Sequence, residues 1–297
     1  MIRRLVATDE QDLAALEAQT PPIPGLRRAG ARLPVDEYTR RLWQRRWFVE
    51  AYASASNAAG YEKSFIGQYW QLLTPLLNIA VYYLIFGVLL HTNKGVGNFI
   101  AYLTVGVFWF NFLSQAMIAG SRAITGNSGL VRALQFPRAV LPVATVLQGF
   151  LQLMTAMIVM VPILLVTGEP ITLRWLLLAP ALLLTTLFCL SLAFVTARIG
   201  ALVPDTTQIL PFVSRVWLYA SGVMFNMAAY TKGHSGFVTT IFNLNPGNVY
   251  LELARSAVIQ GSTASPTVWL YGVLWAVIPL GASYLYFWRG EEGYGNV

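Results

Sequence analysis

Residues 121–142 read SRAITGNSGLVRALQFPRAVLP. They separate two long apolar runs, FIAYLTVGVFWFNFLSQAMIAG (99–120) and VATVLQGFLQLMTAMIVMVPILLV (143–166). Each run is long enough to cross a bilayer core of about 30 Å as a helix, which takes about 20 residues. The connector has a pattern of its own. Gly126–Asn127 and Ser128–Gly129 are turn pairs. Leu130, Val131 and Leu134 then recur at helical spacing, with Arg132 on the other side. Pro137 disfavours helix at Phe136, so the segment stops there. The pattern predicts a short amphipathic helix at the membrane interface; an ordinary inter-helix loop is the plainer alternative.

Working outward, the whole chain follows the same rule. Its 297 residues are 56% hydrophobic and only 11% charged, against about 25% charged in soluble domains. Mean hydropathy is +0.56. Run length, without the ten-residue alternation of a barrel, makes this an all-α polytopic membrane protein. Six transmembrane helices are expected, at about 71–90, 99–119, 140–166, 173–196, 208–227 and 268–288. Pro142, Pro162, Pro180 and Pro211 are their kink points. Cys189, the one cysteine, lies inside an apolar run and reads as a small core residue.

Charge predicts orientation. The first 70 residues carry ten Lys and Arg, and the 121–142 connector adds Arg122, Arg132 and Arg138. Arg198 and Arg289 fall on the same side. The opposite side has Lys94, Arg174, Lys232 and Arg255. The positive-inside rule then puts both termini in the cytoplasm. No apolar signal-peptide core precedes the first span.

The flanks divide as follows. Residues 1–35 form a Pro- and Arg-rich cytoplasmic tail, partly disordered. Residues 36–70 hold Arg40, Arg41, Trp43, Arg45, Arg46, Trp47 and Phe48. That mixture suits an amphipathic helix on the anionic leaflet, so membrane lipid is an expected partner. Residues 71–288 are the transmembrane domain and 289–297 a cytoplasmic tail. Between the fifth and sixth spans, residues 236–259 offer two helical pieces too short to cross, joined at Asn245–Pro246. A re-entrant helical pair is expected, its broken backbone buried in protein.

Chemistry is sparse. No phosphate-cradling G-x-x-x-x-G-K-[ST] loop exists, so ATP hydrolysis is not expected in this chain. His91 and His234 are isolated, and no metal cluster is visible. Eight of the 13 acids precede residue 63, and Glu291 and Glu292 sit in the tail. Glu169, Asp205 and Glu252 remain, far apart. A polyprenol-linked membrane glycosyltransferase would need them. Ion-coupled carriers place acids within their spans, and none is found there. Arg215 is the one embedded charge in the fifth span: it either snorkels to the surface or lines a pore and meets a phosphate. Aromatic residues are the main substrate signal. Tyr82, Tyr83 and Phe86 lie in the first span, Phe108, Trp109 and Phe112 in the second, and Trp217, Tyr219 and Phe225 in the fifth. Ring faces hold the apolar side of a sugar weakly and in many registers, which suits a sliding polymer.

Residues 99–142 resemble the permease subunits of ABC-2-type polysaccharide exporters, the O-antigen and teichoic-acid export family, which includes the mycobacterial galactan exporter. The matching positions are Ile124, Asn127, Leu130, Val131, Phe136, Pro137, Arg138, Leu141 and Pro142. Ile66, Gly67, Trp70, Pro75, Phe86 and Gly87 match the family's opening. Asn245, Pro246 and Arg255 match its re-entrant turn. Asp205 matches the acid of an Arg–Asp pair, with Pro204 in place of the arginine. The resemblance implies that 121–138 is the coupling segment docking on an ATPase, with Arg132 on it. It implies that the rings of the first, second and fifth spans line the channel, and that Arg215 and Asp205 serve pyrophosphate or gating. It implies a homodimer with two ATP-binding-cassette subunits. ATP and Mg belong to those subunits, so this chain itself binds no cofactor, and no nucleic acid is involved. The implied substrate is a polyprenyl-pyrophosphate-linked polysaccharide, O-antigen-, teichoic-acid- or galactan-like, crossing the bacterial inner membrane. An ABC-2 permease for a drug or small lipid is the alternative within the family.

Overall fold

The computed structural model describes residues 33–59, 67–90, 96–134, 136–225, 240 and 242–296. Two helices precede the bundle, α1 (Val35–Gln44) and α2 (Arg46–Ala59). The expected interfacial helix is thus broken at Arg45, whose N–H turns back to Leu42 O at 3.1 Å. Arg46 stands 5.7 and 5.5 Å from the Trp43 and Trp47 rings, both well exposed. Aromatic bodies with a cationic centre fit the interface that the sequence predicts.

The bundle is all helix among the described residues. It holds α3 (Trp70–Tyr82, continuing as a π-helix over Tyr83–Leu89), α4 (Phe99–Ser121), α5 (Ser128–Ala133) and α6 (Val140–Val166). Then follow α7 (Leu178–Leu202, after a 3-10 turn at Leu173–Leu177), α8 (Thr206–Ala220), α9 (Pro246–Val258) and α10 (Pro266–Arg289). A 3-10 helix, Glu291–Asn296, closes the chain. Helix starts follow local chemistry. The Asn98 side chain accepts from Ala101 N at 3.1 Å. Asn245 and Ser265 cap α9 and α10, each with proline in the first turn.

Among the described residues, five helices are long and apolar enough to cross a membrane: Leu72–Leu89, Phe99–Ser121, Val140–Val166, Leu173–Leu202 and Pro266–Arg289. Each coincides with an expected span. The expected fifth, 208–227, is the departure. Its helix α8 has 15 residues, or about 22 Å, short of a full crossing. Its expected end and most of the first re-entrant arm (226–239 and 241), like His91, His234, Lys94 and Lys232, lie outside the described residues.

α4 is the axle. It is 72% buried over its spanning window, whereas Leu72–Leu89 is 11% buried. α4 packs against α7 through small residues. A β-carbon on Gly200 would lie 2.1 Å from Ser121 O, so the two backbones touch there only because Gly200 has no side chain. Cys189 is fully buried in this core, as its apolar setting suggests.

Candidate functional site: a polar cavity between two fastened ends

Four helices enclose a cavity of about 580 Å³. Its walls follow helical spacing. α3 contributes Thr74, Asn78 and Tyr82. α4 contributes Phe108, Asn111, Phe112 and Gln115. α6 contributes Gly149 and Gln152, and α8 contributes Pro211, Ser214 and Arg215. Each set recurs at three or four residues, so each helix turns one stripe inward. Ser114 and Ser214 bond each other at 2.6 Å across the wall. Gln152 donates to Asn57 of α2 at 3.1 Å. Asn111, Gln115 and Arg215 stay exposed inside helices of otherwise apolar makeup. Among the described residues Arg215 has no ion-pair partner.

The expected channel residues divide. Tyr82, Phe108, Phe112 and Arg215 line this cavity. Trp109 faces α7 instead, fully buried, with its indole N–H donating to Thr185 Oγ1 at 3.0 Å. Trp217 packs edge-on to Phe110 and donates to Asn245 Oδ1 at 2.9 Å. Tyr83 lies against Phe99, 40% exposed, and Phe86 and Phe225 are partly buried against the core. Tyr219 points outward, 53% exposed. The ring count alone could not separate these groups. The amides Asn78, Asn111, Gln115 and Gln152 escaped the aromatic reading. Their signal was available: polar side chains at i, i+3 and i+4 inside apolar runs.

At one end of the bundle the segment expected to couple, residues 121–138, folds against its own chain. Ile124 is fully buried and Val131 and Pro137 are buried. Asn127 accepts from the Tyr52 hydroxyl and donates to Ala123 O at 2.9 Å. Phe136 meets Phe48 of α2 at 5.9 Å between centroids, and Leu130 is half-buried. Arg138 N–H donates to Glu291 Oε1 at 2.9 Å, and its guanidinium donates to the Glu291 main-chain carbonyl. The outward face carries Arg122, Gly129, Arg132 and Leu134. Most of the motif positions therefore hold the segment in place, and a smaller set presents it.

The opposite end is fastened by Arg255. Its guanidinium is 3% exposed and lies 3.4 Å from the Tyr102 ring centre. It donates to the carbonyls of Tyr102, Gly222 and Val223 at 3.3, 3.1 and 3.0 Å. Gly106 makes room, since a β-carbon there would lie 2.5 Å from the Arg255 Nη2. Nearby, Glu169 accepts from Asn98 Nδ2 at 3.0 Å and from Gln260 N at 2.7 Å. Asn245 Nδ2 donates to Ala220 O at 2.8 Å, and Pro246 starts α9. α9 is buried along most of its length, as a re-entrant arm must be.

The three stranded acids do not converge. Glu169 is spent on structure, Asp205 is exposed at the start of α8, and Glu252 lines a separate cavity beside Arg255. Among the described residues no group of three His, Cys, Asp or Glu could hold a metal.

An O-antigen export system permease protein from Myxococcus xanthus is 26% identical over 189 residues, covering 64% of this chain and 72% of its own length. One from Klebsiella pneumoniae is 26% identical over 115 residues, covering 39% of this chain and 44% of its own. The ABC-2 type transporter family matches residues 51–259, and with that match over an all-helical bundle of spanning helices the chain belongs to the ABC-2 type transporter family.

Proposed function

We propose that this chain is the permease subunit of an ATP-driven exporter that moves a polyprenyl-pyrophosphate-linked polysaccharide across the bacterial inner membrane. The observation that carries the reading is the cavity. It joins ring faces (Tyr82, Phe108, Phe112), side-chain amides (Asn78, Asn111, Gln115) and one cation, Arg215, between membrane helices. Rings meet the apolar faces of sugars, amides meet hydroxyls, and a guanidinium suits a phosphate. A drug carrier would need fewer amides and no phosphate-binding cation. The similarity to O-antigen export permeases supports the same substrate class.

The rest of the assembly follows. The cavity is walled by the weakly buried span Leu72–Leu89 and by α8, on whose outward face Phe212, Val216 and Tyr219 are exposed. A second copy placed there completes the channel as a homodimer. The face carrying Arg122, Gly129, Arg132 and Leu134 takes one of two ATP-binding-cassette subunits, which bring ATP and Mg. That end, with both termini, is cytoplasmic. Asp205, at the head of α8, is assigned a gating role.

A mild-detergent pull-down from native membranes tests the reading. A stoichiometric ATP-binding subunit is expected, and Arg132→Glu together with Leu134→Asp should release it. Recovery of the chain alone, where other membrane complexes survive, contradicts the reading.

A further inference from the structure

The last residues of the chain are built into the bundle, which a solvent-facing tail does not require. Glu291 is 6% exposed and Tyr294 2%. The Glu291 carboxylate accepts from two directions. Tyr38 of α1 donates its hydroxyl to Oε2 at 2.7 Å, and the Arg138 N–H donates to Oε1 at 2.9 Å. The Arg138 guanidinium turns to the Glu291 main-chain carbonyl. The Tyr38 oxygen in turn accepts from Ala139 N at 3.0 Å. Three sequence-distant pieces, α1, the 136–139 turn and the end of α10, therefore meet at one carboxylate.

The pieces behind this point are stiff. Tyr294 donates its hydroxyl to Phe287 O at 3.0 Å, and its ring lies against that of Phe287, tilted by 31°, with 4.8 Å between centroids. Trp288 donates to Leu33 O at 2.9 Å, and the Thr39 and Tyr284 hydroxyls are 2.8 Å apart. Arg198 of α7 lies over the Tyr286 ring at 4.0 Å and donates to the Tyr286 carbonyl. A displacement of the 136–139 turn thus reaches α10 and α7 through hydrogen bonds with little slack. By contrast, the other exit from the turn runs directly into α6 along the chain.

We propose that Glu291 is a positioning residue of the coupling step, tying the coupling segment to the last spanning helix so that motor strokes reach both α6 and α10. The proposal rests on the exporter reading, because it needs a motor at residues 121–138. A buried carboxylate with two donors aimed at it from separate elements is costly to leave unmet, so the three pieces move together or come apart together.

The test uses the full-length chain with its ATPase partner in lipid bilayers, comparing Glu291→Ala, Glu291→Gln and Tyr38→Phe. Backbone amide exchange at Arg138 and Ala139 is read first. Glu291→Ala should speed it by about tenfold while α4 amides keep their protection. Export of the lipid-linked glycan per ATP hydrolysed is read second. It should fall by about tenfold in Glu291→Ala, with hydrolysis near the wild-type rate. Glu291→Gln should recover most of the export, because its amide oxygen still accepts from Arg138. Unchanged exchange overturns this proposal alone. Export and hydrolysis falling together, in step with loss of the chain from the membrane, overturns it as well, since that marks a purely structural residue. Faster exchange in a chain that recruits no ATPase overturns the exporter reading and this proposal with it.

Discussion

The two ends of the bundle solve one problem in opposite ways. Each buries an ionisable side chain and meets it with hydrogen bonds from sequence-distant segments. At one end Arg255 donates to three carbonyls from two separate segments, Tyr102 on α4 and Gly222–Val223 after α8. At the other, Glu291 accepts from the Arg138 N–H and the Tyr38 hydroxyl. The Arg255 clamp sits among spanning helices, under Gly106 and beside the Tyr102 ring. The Glu291 clamp sits among a surface helix, a turn and a tail. The first fixes the wall of the bundle. The second fixes pieces that, on the proposed function, a motor must move. An end made of helices is expected to fail by unfolding, and an end made of turns by slipping.

The contrast breaks most easily at Arg255. Arg255→Met takes a charged donor away from three buried carbonyls, of which Gly222 O keeps the Tyr102 hydroxyl at 3.1 Å. At about 1.5–3 kcal/mol for each hydrogen bond to a charged group, it should destabilise the chain by about 3–5 kcal/mol. Loss of folded chain from the membrane, seen by size exclusion in detergent, checks it. If Arg255→Met instead folds normally and only slows export, the two ends do not differ as described. Gly106→Ala sharpens the same point with a smaller group. A methyl 2.5 Å from the guanidinium should displace it and cost about 1–3 kcal/mol. Double replacement with Arg255→Met should cost less than the sum of the two single changes.

The Glu291 end should respond more gently. Tyr38→Phe removes one hydroxyl that both donates and accepts, and should cost about 1–2 kcal/mol. Burial raises the Tyr38 phenol well above its ordinary 10.0, with the Glu291 carboxylate adding to the rise. The phenol therefore stays a donor through ordinary alkaline buffers, and its part of the clamp is lost only far above pH 10. Burial also raises the Glu291 carboxyl above 4.5, and the Arg138 N–H and Tyr38 hydroxyl pull it back. The folded state then holds that proton more tightly than the unfolded chain. Its contribution is full below pH 4.5 and fades as pH rises through the folded value. The smallest effect follows from this. The stability difference between wild type and Glu291→Gln should shift in favour of wild type as pH falls through that window, read as a change in Tm. A difference that is flat with pH contradicts the buried-carboxylate account.

Much of this was legible in the residues, and the limits have physical causes. Run length placed five spans, because crossing a bilayer sets one strong length rule. It overran at α8, where 15 helical residues give way to the turn at Gly222 and the carbonyls that Arg255 takes. Apolar content could not show that stop. The Asn245–Pro246 turn was readable because a cap and a first-turn proline are local. The cavity was half readable. Tyr82 and Phe112 stood out as rings, yet Trp109, equally aromatic, faces Thr185 in the core. Which face of a helix looks inward depends on neighbours that spacing alone does not name. The Glu291 clamp joins residues 253 apart in sequence from Tyr38, and no local pattern marks such a contact.

Between the two ends lies the claim on which the account stands, that the cavity carries a lipid-linked glycan. The measurement that tests it most directly is depletion of this chain in its own cell, followed by extraction and sizing of polyprenyl-linked glycans. The account predicts that full-length lipid-linked polymer accumulates on the cytoplasmic side, and that Arg215→Ala together with Asn111→Ala reproduces the accumulation with the chain still folded and still bound to its ATPase. If the glycans keep their amount and place, the cavity carries something else. If instead they are shortened, the chain builds the polymer and does not move it.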